Sequence, residues 1–267
     1  MDNKVVLITG STDGIGLQTA KQLATDGYGL ILHGRNQEKL NAIRNEFKHL
    51  SNYCIIDTVT ADLSNFDDIY NMIKQIKQKH SKIDAIINNA GVYKTNQPIT
   101  KDGLDVRFMV NVIAPYIISK GLIDLMNKDS RIINLSSAAQ APVDLDALKG
   151  KQLLDDGTAY AQSKLALTMW SAYLGQNSNI SIIAVNPGSF LATKMVKDAY
   201  GLSGNDVTIG SDILIKAALA DSFNNSSGKY YDNDEGKFSK AHNHAYDDYK
   251  CLDIIKTIES IIEEKRP

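Results

Sequence analysis

The chain has 267 residues, 43% hydrophobic and 22% charged, with a formal net charge of −2; that length suits one α/β domain, the composition is that of an ordinary folded globule, and so small a charge gives no electrostatic reason to expect nucleic acid or an anionic membrane as partner. Its two cysteines, Cys54 and Cys251, have neither metal-ligand nor disulfide spacing, which favours a reducing cytoplasm as the setting, and Cys54 reads as core. No apolar stretch reaches the ~18 residues of a membrane span, and the first strand begins so early that no signal peptide is expected.

Lys4 to Thr9 is a short apolar run of the kind that a strand buried on both faces shows. It passes into Gly10-Ser11-Thr12-Asp13-Gly14-Ile15-Gly16 and then into a helical pattern over 15–26 with Ile15, Ala20, Leu23 and Ala24 on one face. Strand, glycine turn and helix together form the setting of a dinucleotide fingerprint: glycines let the backbone approach a pyrophosphate, and the helix start offers free amide hydrogens. No Gly-Lys-Ser/Thr follows, which excludes a nucleoside triphosphate loop. Further strands are expected near 28–33, 53–60, 83–88, 130–135, 180–185 and 229–231. Helices are expected near 37–49, 66–79, 103–127, 157–175, 207–220 and 245–265. Asp67 and Asp68 favour the start of the third helix. Strict alternation implies right-handed crossovers and a parallel sheet covered on both faces, with ligands beyond the carboxyl ends of the strands. Gly10, Asn88, Ser137 and Pro187 all fall at such ends.

Within the 157–175 helix, Tyr160 and Lys164 stand four apart and so share a face. An ammonium beside a phenol favours the phenolate, and a tyrosine tuned that way can exchange a proton with an alcohol or carbonyl near neutral pH.

Six motifs in order make the chain similar to the short-chain dehydrogenases/reductases along nearly its whole length. They are Thr9 to Gly16, Asn88-Asn89-Ala90-Gly91, Asn111-Val112-Ile113-Ala114-Pro115, Asn134-Leu135-Ser136-Ser137-Ala138-Ala139, the Tyr160/Lys164 dyad, and Asn186-Pro187-Gly188. The resemblance implies a single-domain, Rossmann-type, doubly wound parallel sheet of about seven strands with helices on both faces. It implies an oxidoreductase moving hydride between a nicotinamide and a carbonyl or alcohol, with Asn111, Ser137, Tyr160 and Lys164 catalytic. Tyr160 would be the acid/base and Lys164 would tune it and hold the nicotinamide ribose. Ser137, chosen over Ser136 for the small residues after it, would bond the reacting oxygen. Asn111 resembles the residue that interrupts a long helix and holds a water of the proton relay. It can equally be a polar group satisfied within a kinked helix.

Cofactor contacts are expected from Gly10, Ser11, Thr12, Asp13, Gly14, Ile15, Gly16, Arg35, Asp62, Leu63, Asn89, Ala90, Gly91, Tyr160, Lys164, Pro187, Gly188 and Thr193. Asp62 and Leu63 resemble the pair that borders the adenine. Thr193 resembles the residue that meets the carboxamide, although its segment is one residue longer than usual. After the second strand a carboxylate would select NAD, but the chain has His33-Gly34-Arg35-Asn36. Arg35 offers a fork to a 2′-phosphate, so NADP(H) is favoured over NAD(H). Asp13 stands where many NADP-preferring relatives carry a base.

The segment 140–158, with Asp144, Asp146, Asp155 and Asp156, and the stretch Ser227 to Tyr231 resemble retinol-dehydrogenase-like and WW-domain-oxidoreductase-like members. The segment reads as a pocket-covering insertion or as a surface excursion. Phe190, Leu191, Met195 and Val196 read as an apolar wall for a lipophilic carbonyl or as the core face of a short helix. A last helix over 245–265 would dock by Ile255, Ile258 and Ile262 with Glu259, Glu263 and Glu264 outward. His242 and His244 lack a third ligand, and no metal is expected. Relatives pair as dimers or tetramers through the helices at 103–127 and 157–175. A non-catalytic cofactor-binding sensor or scaffold is the rival reading, which the retention of all four catalytic residue types disfavours; length and glycine spacing disfavour an epimerase.

Overall fold

Hydrophobic strands alternating with amphipathic helices leave one arrangement that buries both, a central sheet between two helical layers. The computed structural model describes residues 4–50, 55–201 and 203–265 of the chain. Its strands are β1 (Val5–Ile8), β2 (Gly29–Gly34), β3 (Ile56–Thr60), β4 (Ala85–Asn88), β5 (Arg131–Leu135), β6 (Ser181–Asn186), β7 (Tyr230–Asp232) and β8 (Lys237–Ser239). They form one eight-stranded sheet in the order β3-β2-β1-β4-β5-β6-β7-β8, parallel except for β8, which runs antiparallel to β7. The chain winds outward from β1 to β3, then returns to place β4 on the other side of β1. That reversal opens a crevice at the carboxyl ends of β1 and β4, where ligands of such sheets bind.

Side chains alternate across the sheet. Leu7, Ile31, Ile86, Ile132 and Ile182 join one core. Val6, Ile8, Leu30, Leu32, Ile87, Ile133 and Val185 join the other. The second core is capped by α1 (Gly14–Thr25), α2 (Gln37–Phe47) and α9 (Thr208–Leu219). The first is capped by α3 (Phe66–Lys79), α5 (Ala114–Gly121), α7 (Asp156–Gln176) and α10 (Asp248–Lys265). In α3, Phe66, Ile69, Met72, Ile73 and Ile76 make the buried stripe, Asn65 caps the start, and Asp67 and Asp68 sit in the first turn with Lys77 and Lys79 in the last. Short helices α4 (Val106–Phe108), α6 (Leu145–Leu148) and α8 (Lys194–Tyr200) complete the set.

Three differences from the sequence reading have physical causes. The sheet gains β8, whose single apolar residue, Phe238, packs 5.1 Å from both Phe223 and Tyr231 and is too isolated to show an alternation. The expected helix over 103–127 divides into α4, a five-residue π-helix Met109–Ile113, α5 and a 3₁₀ turn Ile123–Leu125. Its start is set by Asp105, which caps α4 by accepting the Arg107 amide. The expected helix over 245–265 begins only at Asp248, after a 3₁₀ turn Asn243–Tyr246. Cys54 and the start of the 53–60 strand lie outside the described residues.

α10 crosses the face of α5 and α7. Ile254, Ile258 and Ile261 are buried there, and Glu259 Oε1 accepts from the Tyr116 hydroxyl at 2.7 Å and from Lys120 Nζ at 2.8 Å. Ile262, expected to dock, is only partly buried. Of all the residues in α5 and α7, only Lys120 and Gln176 are exposed. The chain's own last helix thus packs on the helices through which relatives pair.

Candidate active site

The crevice starts at the turn after β1. Gly10 (φ 65°) and Gly14 (φ 52°) hold left-handed conformations, which glycine adopts without steric cost. A Cβ on Gly16 would lie 2.3 Å from the Gly10 carbonyl, so the helix starts pressed against the turn. Asp13 caps α1 by accepting the Gly14 amide at 2.8 Å, while the first-turn amides of Ile15 and Gly16 have no intrahelical acceptor. These positive-φ glycines and free amides form a cradle that fits a dinucleotide pyrophosphate. Ser11 is buried and donates to the His33 carbonyl at 3.1 Å, so it braces the turn. Asn89 does the same from β4, donating to the carbonyls of Thr9 (2.9 Å) and Gly10 (3.1 Å). The Ala90 amide donates to Thr9 Oγ1.

His33 braces the same turn from β2, a role that its place before Arg35 does not signal in sequence. Its Nδ1 accepts the Gly10 amide at 3.1 Å, and its Nε2 lies 3.1 Å from the Ala61 carbonyl. That pattern needs the neutral ring protonated on Nε2. Burial pushes its pKa from 6.5 to about 4, offset only in part by the Ala61 carbonyl and Asp62. Arg35 follows at the end of β2, exposed, with no hydrogen bond or ion pair among the described residues. Thr12 packs over Gly34 beside it. Asp62 Oδ1 accepts from the Ser64 amide and hydroxyl. Leu63 is turned into the core at 4% exposure, which leaves its backbone as the part that could border an adenine.

Tyr160 and Lys164 lie on one face of α7, with Lys164 Nζ 5.5 Å from the centroid of the Tyr160 ring. Lys164 is buried and donates to the Leu135 carbonyl at 2.6 Å. Desolvation brings it down to about 8, so it is still mostly charged at neutral pH. A Cβ built on Gly91 would lie 3.5 Å from Asn111 Oδ1, 3.7 Å from Lys164 Nζ and 3.8 Å from Met195 Cε, which places β4, the π-helix, α7 and α8 around one point. Asn111, in the π-helix, is satisfied on all sides. Its Oδ1 accepts the Val92 amide (2.8 Å), and its Nδ2 donates to the Val92 carbonyl and to Ser163 Oγ (both 3.0 Å). The geometry is that of a polar side chain satisfied within an irregular helix.

Of the two serines after β5, Ser136 is buried against Thr168 Oγ1 at 2.6 Å. Ser137 is half-buried, and its Oγ accepts the Ala139 amide, leaving the hydroxyl hydrogen to donate outward. Its carbonyl accepts from Gln140 Nε2 (3.0 Å) and from the Tyr230 hydroxyl (3.2 Å). Gln140 Oε1 in turn accepts the His242 amide. Burial and the carboxylates of Asp232 and Asp234 keep Tyr230 protonated. Nothing in the local sequence marks Gln140 for this role. Tyr230 lay within the stretch 227–231 without a role.

Beyond β6, Asn233 donates to the Pro187 carbonyl, Gly188 takes φ 116°, and Asp234 accepts from the Ser189 amide and hydroxyl and from Asn186 Nδ2. Thr193 caps α8, and its Cγ2 would touch a Cβ on Gly14 at 3.3 Å, so the loop reaches back to the glycine turn. The four expected wall residues separate. Leu191 is core, packed on Gly210; Phe190 is half exposed at φ 52°; Met195 reaches Gly91, and Val196 is half-buried. The segment 140–158 is pinned rather than loose: Ala147 and Leu148 are fully buried, and Gly150 sits directly on the Gly103 carbonyl. His242 and His244 stack edge to face, with Lys250 on His244. No group of three or more metal-ligating side chains exists among the described residues, and no helix among them is long and apolar enough to cross a membrane.

A doubly wound sheet with a glycine cradle at its switch point and a Tyr–Lys pair over the same crevice defines a nicotinamide-dependent oxidoreductase. The family model described as short chain dehydrogenase matches residues 4–201, and the chain belongs to that family, whose members act on CH–OH donors. It is 30% identical to human retinol dehydrogenase 13 over 252 residues, covering 86% of this chain and 76% of that one. Its fold matches a solved protein of Mycobacterium paratuberculosis at TM-score 0.79 and 21% identity, covering 97% of this chain and 93% of the other. It also matches a short chain dehydrogenase of Shigella flexneri complexed with NADP at TM-score 0.69 and 22% identity, covering 87% and 98%.

Proposed function

We propose that the chain is an NADP(H)-dependent carbonyl reductase or alcohol dehydrogenase in which Tyr160 carries the proton. The observation that carries this reading is the buried Lys164 ammonium beside the Tyr160 ring, facing the hydroxyl-bearing end of β5. A bound nicotinamide supplies the hydride or accepts it. Tyr160 gives its proton to the carbonyl oxygen, or takes one from the alcohol, while Lys164 favours the phenolate and holds the nicotinamide ribose hydroxyls. Ser137 donates to the reacting oxygen as negative charge develops there. Asn111, with its side chain fully paired, acts through the backbone of the widened π-turn.

Exposed Arg35 supports a 2′-phosphate partner, and the NADP held by the Shigella protein agrees with that choice. The Asp13 carboxylate is occupied as a helix cap, which softens its conflict with a phosphate. Met195 over Gly91, half-exposed Phe190 and the likeness to a retinol dehydrogenase support a lipophilic substrate, with 140–158 as a fixed rim of its pocket. The cytoplasm is the expected location. A panel of carbonyls and alcohols followed by NADPH absorbance tests the activity. Tyr160→Phe is expected to lower turnover about a hundredfold or more with little change in cofactor affinity. Near-full turnover with phenylalanine there would remove the proposed acid.

A further inference from the structure

Arg107 is the most deeply buried charged side chain among the described residues, at 1% exposure, and the reaction as described does not use it. Its Nε donates to Asp105 Oδ1 at 2.8 Å and its Nη2 to Asp105 Oδ2 at 2.6 Å, a fork-on-fork pair. Its Nη1 donates to Asp156 Oδ1 and, at 3.4 Å, to the Tyr93 carbonyl. These donors reach three separate segments: the cap of α4, the first residue of α7, and the chain beyond Gly91. With its donors turned to two carboxylates and a carbonyl, the guanidinium is not a site for a substrate anion.

All three segments border Tyr160. Asp156 lies one helical turn before it on the same face of α7. The Tyr93 ring packs edge-on against the Tyr160 ring with centroids 4.8 Å apart. Asp105 opens the helix that runs into the π-turn of Asn111. Arg107 itself lies four residues before Asn111.

We propose that Arg107 is a positioning residue for Tyr160, a buried clip that fixes the start of α7 and the Tyr93 ring and so holds the phenol where Lys164 and the substrate oxygen meet it. The proposal rests on the reading of Tyr160 as the acid/base. Small displacements of a reacting group are costly to rate, which is why a charge is worth burying there in a pair rather than replacing by an apolar side chain.

Arg107→Met would leave Asp105 buried and unpaired and is expected to fold poorly. Asp156→Ala is the cleaner variant, because the Asp156 side chain is 41% exposed and its loss leaves the Arg107–Asp105 pair whole. In the full chain oxidising an alcohol of the panel, Asp156→Ala is expected to lower kcat about tenfold. Loss of the carboxylate by itself favours the phenolate, so the acid limb of the kcat–pH profile is compared with that of Asp156→Asn, which loses the same charge, and is expected to lie higher in Asp156→Ala as the phenolate loses its hold on Lys164. The NADPH dissociation constant is expected to change less than about twofold. Asp156→Asn, which keeps an acceptor for Nη1, is expected to restore most of the rate. A native kcat in Asp156→Ala and an acid limb no higher than that of Asp156→Asn, beside an inactive Tyr160→Phe, overturn the clip alone, even if the melting temperature falls. Full turnover by Tyr160→Phe overturns the acid assignment, and the clip with it.

Discussion

Arg35 stands exposed at the end of β2 without an internal partner among the described residues, and the cost of ordering its long side chain is met only when something binds it. A 2′-phosphate offers two or more anionic oxygens that a planar guanidinium fork can bond together, whereas a ribose hydroxyl does not. Arg35→Asp is expected to weaken NADPH about tenfold or more and to strengthen NADH, because the carboxylate repels phosphate and accepts from two hydroxyls. Titration of both cofactors by protein fluorescence measures the change. Equal or tighter NADH binding by the native chain would reverse the assignment. Ser137 and Ser136 show how much of such a choice local sequence can carry. The small residues after Ser137 favour it; in the fold Ser136 is taken up by Thr168, while Ser137 keeps a hydrogen to give.

At the scale of elements, the glycine turn is held from outside itself. His33 links its Gly10 amide to the Ala61 carbonyl and must be neutral to do so. With a folded pKa of about 4 against 6.5 for the free side chain, the unfolded chain binds more protons between those values. Stability therefore falls as pH drops through that window, by up to about 3 kcal/mol from this residue. His33→Asn keeps an acceptor for Gly10 and cannot titrate there. Its denaturation midpoint is expected to fall less steeply from pH 6.5 to pH 4 than that of the native chain, and parallel curves would show that His33 does not titrate in this way. Strands, helices and the Tyr160/Lys164 pair were legible in the sequence because each rests on local periodicity or spacing. The braces were not. His33, Gln140, Asp234 and Arg107 act across 23 to 102 positions of chain, and a polar residue at a strand end or in a helix looks the same in sequence whether it faces water or a buried carbonyl. The break at the π-helix was legible only through resemblance, since the apolar run Phe108 to Ile113 fits an unbroken buried helix equally well.

The whole molecule is closed by its last helix. α7 is buried over most of its length, its polar residues Gln162, Ser163, Lys164, Thr168 and Ser171 included, and α10 is one of the neighbours that bury it. Ile258 is fully buried in that contact, so Ile258→Ala is expected to cost about 2–5 kcal/mol. Tyr249→Ala, at a site 84% exposed at the start of the same helix, is expected to stay within about 0.5 kcal/mol. Denaturant titration of the two variants separates packing of α10 from mere helix content. The same covering bears on assembly. With only Lys120 and Gln176 exposed along α5 and α7, a second copy docking there would meet little of an apolar face. Truncation before Asp248 uncovers one, and sedimentation is expected to show self-association of the truncated chain that the native chain does not share. Association of the native chain that survives a charge placed at Gln176, by Gln176→Glu, would have to use another surface; association abolished by that change would show that α10 leaves the α7 face open after all.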